Sequence, residues 1–353
     1  MSETQNLNTV QETPSDNNPK KKKKKGLSWL TILILLVDII ARVCFYVVYG
    51  PNEKIREWYI QTAISTGQHK YLAYIFYDSE TINEVLNKNR ITYVDDTTDP
   101  DLIKIVENPN TGVYANAYER EILEHDPDMN YKVITIDEDG IYGWITVIYQ
   151  PQKLNLVVTN TSQGEFITEF SDRYNATVAI NAGGFNLTED YTRYNLGSII
   201  LDGKIFKNTG AKEMLVCLTN EGKLLLLNTT ITEAAKYDLK WALYFEPFFI
   251  VNGAKTQYGE GSNPGGLQPR TAIGQRADGI VLLMTIEGRG GNGSRGANFR
   301  EMTELFDRYS CINAANLDGG GSTMLAINGE LMNEPISYQG AGERHIYDAI
   351  VYN

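Results

Sequence analysis

An apolar run of 23 residues stands directly behind six lysines, and no other feature of the chain constrains its folding as much. Residues 27–49 read LSWLTILILLVDIIARVCFYVVY and follow Lys20 to Lys25 almost without a gap. As one α-helix the run would extend roughly 34 Å, enough to cross the hydrocarbon core of a bilayer. The lysines hold the leading segment on the cytoplasmic side, which puts everything after Tyr49 outside the cell. They also favour an anionic inner leaflet, by about 1 kcal/mol each near the surface. A cleaved signal peptide is the rival reading, but the run is long for one, and Val-Tyr-Gly at 48–50 makes a mediocre cleavage site. Asp38 and Arg42 fall four apart on one helix face, where they either neutralise each other or engage another membrane protein.

The segment divides the chain in charge as well as in texture. The first fifty residues carry a net +3, leaving −15 for the rest of a 353-residue chain whose total is −12. An acidic body of this kind excludes non-specific binding of nucleic acid or another polyanion, although a local basic pocket can still accept one phosphate. The three cysteines, Cys44, Cys217 and Cys311, are scattered. They read as small buried apolar residues, and a Cys217–Cys311 disulfide stays open. No paired Cys/His spacing points to zinc, and neither a metal nor another cofactor is assigned.

Residues 1–25, polar and rich in Asn, Pro and Lys, read as a disordered cytoplasmic tail. Residues 26–50 form the transmembrane anchor, and 51–130 a membrane-proximal helical connector whose second half is broken by Asp-Asp, Asp-Pro and Asn-Pro. From 131 the texture changes to short β-type runs such as YKVITI, GWITVIY, ATVAIN, GIVLLMTIE and TMLAINGEL, several divided by Asp-Gly or Asn-Gly hairpin signals. Two stretches have helical spacing, EFITEFSDRY and NFREMTELFDRY; the second places Phe299, Met302, Leu305, Phe306 and Tyr309 on one face. Many strands and few helices over 131–353 predict an α+β domain: strand-rich, with a few packed helices, behind one transmembrane helix.

Glycine clusters recur where apolar runs end: NAGGF at 181–185, NPGGLQPRTAIG at 263–274, EGRGGNGSRG at 287–296 and LDGGGST at 317–323. Each apolar run delivers one polar residue to a loop poor in side chains, and four such loops in one domain suit a shared cleft for a polar ligand. Gly288, Gly290 and Gly293 also spell G-x-G-x-x-G, but no repeating βαβ pattern follows, so a dinucleotide site is not expected. What remains of that motif is a glycine loop leading to a helix N-terminus, a setting that suits phosphate.

Five segments in order carry a resemblance. They are AINAGGF (179–185), QPRTAIGQRADGIVLLMTIEGR (268–289), SRGANFREMTELF (294–306), NAANLDGGGSTML (313–325) and GERHIYDAIVY (342–352). Together they resemble the phosphodiester glycosidase family. The resemblance covers roughly 131–353 and implies a glycosidase-type hydrolase acting on sugar phosphates at the cell envelope. Three positions depart from the family pattern: Glu287 stands for a usual aspartate, His345 for a proline and Asp348 for an asparagine.

The expected site follows from that implication and from the demands of the chemistry. Cleaving a sugar–phosphate bond asks little for the leaving group but needs partners for the phosphate charge and for the cationic sugar. Arg270, Arg289 and Arg344 are the candidates for the phosphate, with Ser322 and Thr323 as hydroxyl donors. Asp318 and Glu287 are the candidate carboxylate pair. Asn181, Gly183, Gly184, Thr271, Gly319, Gly320 and Gly321 would line the substrate, the glycines letting it approach the main chain. A sugar-phosphate glycan in exopolysaccharide or wall polymer is the expected substrate. A non-catalytic envelope protein that binds such polymers within an assembly complex is the alternative.

Overall fold

In the computed structural model the described residues are 28–65, 70–94, 97–107, 109–110, 112–190, 192–337 and 340–353. The expected 1–25 tail lies outside them. The chain divides into two compact units, 1–85 and 86–353.

The first unit is helical. Trp29–Tyr49 is one unbroken helix, and its stretch Trp29–Tyr46 has a mean hydropathy of 2.1 with no side chain buried inside the protein. Length and composition therefore suit a membrane span. Arg42 Nε donates to Asp38 Oδ2 at 2.8 Å, so these two charges close on each other along the helix. Shorter helices follow at Glu53–Ser65 and Lys70–Phe76. Ser79–Lys88 is opened by Asp78, whose carboxylate accepts the Thr81 amide at 2.7 Å.

The second unit reaches back to Leu86, further than the sequence-drawn boundary near 130. Its early residues are sewn into the strand-rich body: Ile91–Thr92 pairs with Gln257–Tyr258, and Ile122 and Leu123 are buried beneath the sheet strand Tyr131–Glu138. Prolines and aspartates break this stretch into pieces too short to show a period, so its apolar contacts are visible only in three dimensions.

Three antiparallel sheets build the body. The largest runs, in spatial order, Ala254–Lys255, Phe248–Val251, Cys311–Asn316, Arg270–Arg276, Val281–Ile286, Ile141–Ile148 and Tyr131–Glu138. A second has Val178–Asn181 and Asp348–Tyr352 at its centre, and a third is centred on Lys212–Thr219 and Leu239–Tyr244. The inner faces of all three meet in one core that includes Trp144, Ile180, Val216, Trp241, Phe248, Leu283 and Ile350. Each outer face is covered by a helix: Phe299–Arg308 on the first, Ile167–Tyr174 on the second and Ile231–Ala234 on the third. Sheets packed on one another with helices outside give the α+β class expected from the sequence.

Local chemistry sets much of this. Asp139-Gly140, Asp202-Gly203, Asn252-Gly253 and Asn328-Gly329 all have positive φ at both residues, the geometry that closes tight hairpins. In helix Phe299–Arg308, Met302, Leu305, Phe306 and the following Tyr309 are buried as their spacing predicts. Asn298 and Glu301 form a capping box at its start, so the N–H groups that the sequence offered to a phosphate are already engaged. Cys217 and Cys311 are both buried free thiols in different apolar clusters, so the disulfide left open by the sequence is not formed.

Candidate active site

The site assembles where strands of the first two sheets end side by side. Val178–Asn181 runs out into Ala182-Gly183-Gly184, and Cys311–Asn316 runs out into Leu317-Asp318. The Asp318 amide donates to the Ala182 carbonyl at 2.9 Å, locking the two exits together. Asp348 opens the neighbouring strand, and its Oδ1 accepts the Gly183 amide at 2.6 Å. Asp318, through its main-chain amide, and Asp348, through its carboxylate, therefore attach to consecutive residues of one loop.

These carboxylates differ in surroundings. Asp318 is partly exposed, accepts hydrogen bonds from the Ser322 hydroxyl and the Gly319 amide, and faces Arg344. Burial nevertheless pushes its pKa up to about 6, against these stabilising partners. Asp348 is fully buried, and its second oxygen accepts Asn195 Nδ2 at 3.3 Å. Burial first, and the neighbouring Asp318 charge after it, push Asp348 up to about 7. Like charges in a site withdrawn from water resist joint ionisation.

Glu287 lies elsewhere in this network. Its Oε1 accepts Asn292 Nδ2 at 2.9 Å and the Glu334 amide at 2.6 Å, and burial raises its pKa. No interaction joins it to Asp318 among the described residues. The carboxylate that stands with Asp318 is Asp348, which the sequence marked only as a departure from a family pattern. An acid opening an otherwise apolar strand (DAIVY) was the available signal, but its proximity to Asp318 depends on sheet pairing between distant segments.

The arginines separate in the same way. Arg270 is buried and donates to the carbonyls of Ala297, Gly265 and Gly266 at 2.9, 2.5 and 2.7 Å, while its guanidinium lies over the Phe299 ring. Burial lowers its pKa to about 10. Arg289 sits at φ 56° and holds the Gln268 side chain and the Ile336 carbonyl. Both brace the loops around the site. Arg344 alone of the three faces Asp318, and its Nε is buried without a hydrogen-bond partner among the described residues.

Asn181 and Thr271 are also internal braces. Thr271 Oγ1 donates to Asn181 Oδ1 at 2.8 Å; that oxygen also accepts the Met324 amide at 3.0 Å, and Asn181 Nδ2 donates to the Asp318 carbonyl. One buried amide thus ties both ends of the LDGGGST loop. Ser322 is buried against Asp318, and the buried Thr323 hydroxyl has no partner among the described residues.

The glycines answer mainly to protein packing. A Cβ at Gly319 would stand 2.9 Å from the Pro269 carbonyl oxygen, and one at Gly321 would stand 2.7 Å from Ser337 Cβ. At Gly183 it would meet Asp348 Oδ2 at 2.8 Å, and at Gly184 Leu196 and Phe245 at 3.0 Å. Gly320 requires left-handed backbone, φ +61°, beside Arg289. Side-chain-free chain here lets the loops close on each other around Asp318 and Arg344.

The chain is 30% identical over 184 residues to the SPbeta prophage-derived uncharacterized protein YomE of Bacillus subtilis (strain 168), covering 49% of this chain and 28% of that protein. It is 38% identical over 69 residues to the Bos taurus N-acetylglucosamine-1-phosphodiester alpha-N-acetylglucosaminidase, covering 20% of this chain and 13% of the relative. The chain thus spans less than a third of the length of either relative. The solved zebrafish catalytic domain of that enzyme, auto-inhibited by its pro-peptide, superposes with a TM-score of 0.54 at 19% identity, over 65% of this chain and 85% of that one, which is a likeness of fold. The family profile described as phosphodiester glycosidase matches residues 174–352, just over half the chain and all of the loops that converge on Asp318, and the chain belongs to that family.

Proposed function

We propose that this chain is a membrane-anchored, extracellular hydrolase that cleaves sugar-1-phosphate diester links in envelope or exopolysaccharide glycopolymers. The observation that carries the reading is a partly exposed Asp318 on the glycine loop that Arg344 also borders, its Nη1 3.5 Å from the Cβ position of Gly321, backed by the buried Asp348. The bond that breaks joins the anomeric carbon to the bridging phosphate oxygen. The phosphate leaves with the bonding pair, water supplies the new oxygen at the anomeric carbon, and the products are a free sugar and a phosphomonoester.

Each residue meets one demand of that reaction. Phosphate departs as a stable anion, so Arg344 serves to hold its charge rather than to protonate it. Asp318, ionised above about pH 6, faces the cationic sugar and accepts the proton of the attacking water. Asp348 has both oxygens engaged by the protein and works from behind, fixing the 182–184 loop, while the Asp318 charge helps to keep it protonated. The bovine relative's name, a phosphodiester of N-acetylglucosamine, supports the sugar-phosphate class. The helix Trp29–Tyr49 supports the anchor, and the lysines before it support the outward orientation. Closure of Arg42 on Asp38 favours mutual neutralisation over a partner in the membrane.

The test is release of reducing sugar from a sugar-1-phosphate diester by the full chain in detergent. Asp318→Asn is expected to lower the rate about a hundredfold or more, and wild-type protein that frees no sugar would overturn the reading. The engagement of Glu287 by the 334 segment favours the second reading, a polymer-binding protein without catalysis. In the same experiment that protein would retain the polymer and leave it uncut.

A further inference from the structure

We infer that Arg193 and Arg344 form a two-guanidinium seat for a phosphate group beside the Phe185 ring, with Arg193 the residue that selects phosphorylated over neutral glycans. The seat deepens the hydrolase reading by naming what its ligand must carry, and it rests on that reading only for the identity of the rest of the substrate.

Both guanidinium groups lie over one ring: Arg344 is 5.0 Å and Arg193 5.4 Å from the Phe185 centroid. Two cations gathered at one aromatic ring repel each other, and Arg193 registers this. Its pKa is pushed down by burial and then by Arg344. No ion pair among the described residues engages either guanidinium. Glu343, adjacent in sequence, gives one oxygen to the Thr168 amide at 3.1 Å and the other to the Thr168 hydroxyl at 2.9 Å. Glu165 is taken by Arg173. Asp318 faces Arg344 without forming an ion pair with it.

In a chain of net charge −12, counter-ions for two arginines are plentiful. Neither guanidinium is held in an ion pair among the described residues, which leaves both able to pair with an incoming anion. The geometry is fixed in advance. Arg193 Nε donates to the His345 carbonyl at 3.0 Å and Nη1 to the Gln163 carbonyl, so the fork cannot swing away. His345 Nδ1 donates to the same Gln163 carbonyl at 3.0 Å and stacks its ring edge-on to Phe166. A cavity of about 270 Å³, lined by Arg193, Arg344, Glu343, Ser337, His345 and Phe166, opens beside these groups. Planar donors of fixed direction around such a space suit the oxygens of a phosphate.

The experiment measures binding of inorganic phosphate, and of a sugar phosphomonoester, to the full chain in detergent by calorimetry, with chloride at equal ionic strength as the control. Both phosphates are expected to bind, and Arg193→Gln to weaken them at least about tenfold, the scale of one charge-assisted hydrogen bond. Arg193→Lys should recover part of the loss, and circular dichroism of each variant checks that it folds. In turnover, Arg193→Gln should raise KM with kcat little changed. Unchanged phosphate affinity in folded Arg193→Gln, or no phosphate binding by the wild type, overturns the seat even if sugar is still released. Phosphate binding that depends on Arg193 in a protein that frees no sugar leaves the seat standing and removes the hydrolase reading alone.

Discussion

The Gly183 amide donates to the Asp348 carboxylate at 2.6 Å, and a side chain at Gly183 would collide with that carboxylate's other oxygen. A glycine in one strand exit and an acid at the start of a strand some 165 residues later therefore specify each other. Through the adjacent Ala182 carbonyl the same loop also holds Asp318.

Asp348 makes folding stability depend on pH. Its pKa rises from 3.8 to about 7 on folding, so the folded chain keeps a proton that the unfolded chain releases. Its contribution is complete below about pH 4 and is lost as pH rises through about 7. Asp348→Asn removes the ionising group, so the difference in Tm between pH 5 and pH 8 should shrink relative to wild type. Asn195 must adjust, because its amide now faces another amide. An unaltered difference in Tm would show that Asp348 is not held protonated.

Gly320→Val is expected to abolish sugar release while the protein still folds. Its φ of +61° is strained for a branched residue by about 1–2 kcal/mol. The new side chain also meets Arg289 Nη2, 3.2 Å from the Cβ position. A modest fall in Tm with loss of activity is the expected pair of results; full activity would reduce the loop to a plain turn.

Arg270→Met separates bracing from binding. Losing this side chain strips donors from the carbonyls of buried Ala297 and of the more exposed Gly265 and Gly266, which should cost about 2 kcal/mol in stability. Phosphate affinity should change little in the folded fraction, measured by calorimetry beside a denaturant titration. A selective loss of phosphate affinity would return Arg270 to the ligand.

Native protein should leave Cys217 and Cys311 unlabelled by a thiol reagent, and both should react after unfolding. Each is buried, and burial pushes both thiols up, away from the reactive thiolate. Oxidant should produce no shift on a non-reducing gel from a bond between them. Rapid native labelling of either would contradict their burial.

Several features were decided by the sequence alone, because their causes are local. The helix Trp29–Tyr49 follows from an uninterrupted apolar run, the four tight turns from Asp-Gly and Asn-Gly, and helix Phe299–Arg308 from the spacing of its apolar face. The glycine loops and the acid in Leu317-Asp318-Gly319 were equally legible, since they recur in a recognisable order. Only the tertiary structure decided what each polar residue does. Arg270 and Arg344 look alike in the chain, yet one is spent on backbone carbonyls and the other faces Asp318. Glu287 and Asp348 both adjoin apolar strands, yet pairing of the strands at 178–181 and 348–352 brings only Asp348 to the loop that holds Asp318. Hydrogen-bond partners and burial come from segments far apart in the chain, and a side chain's charge becomes available to a ligand only when no such partner has claimed it.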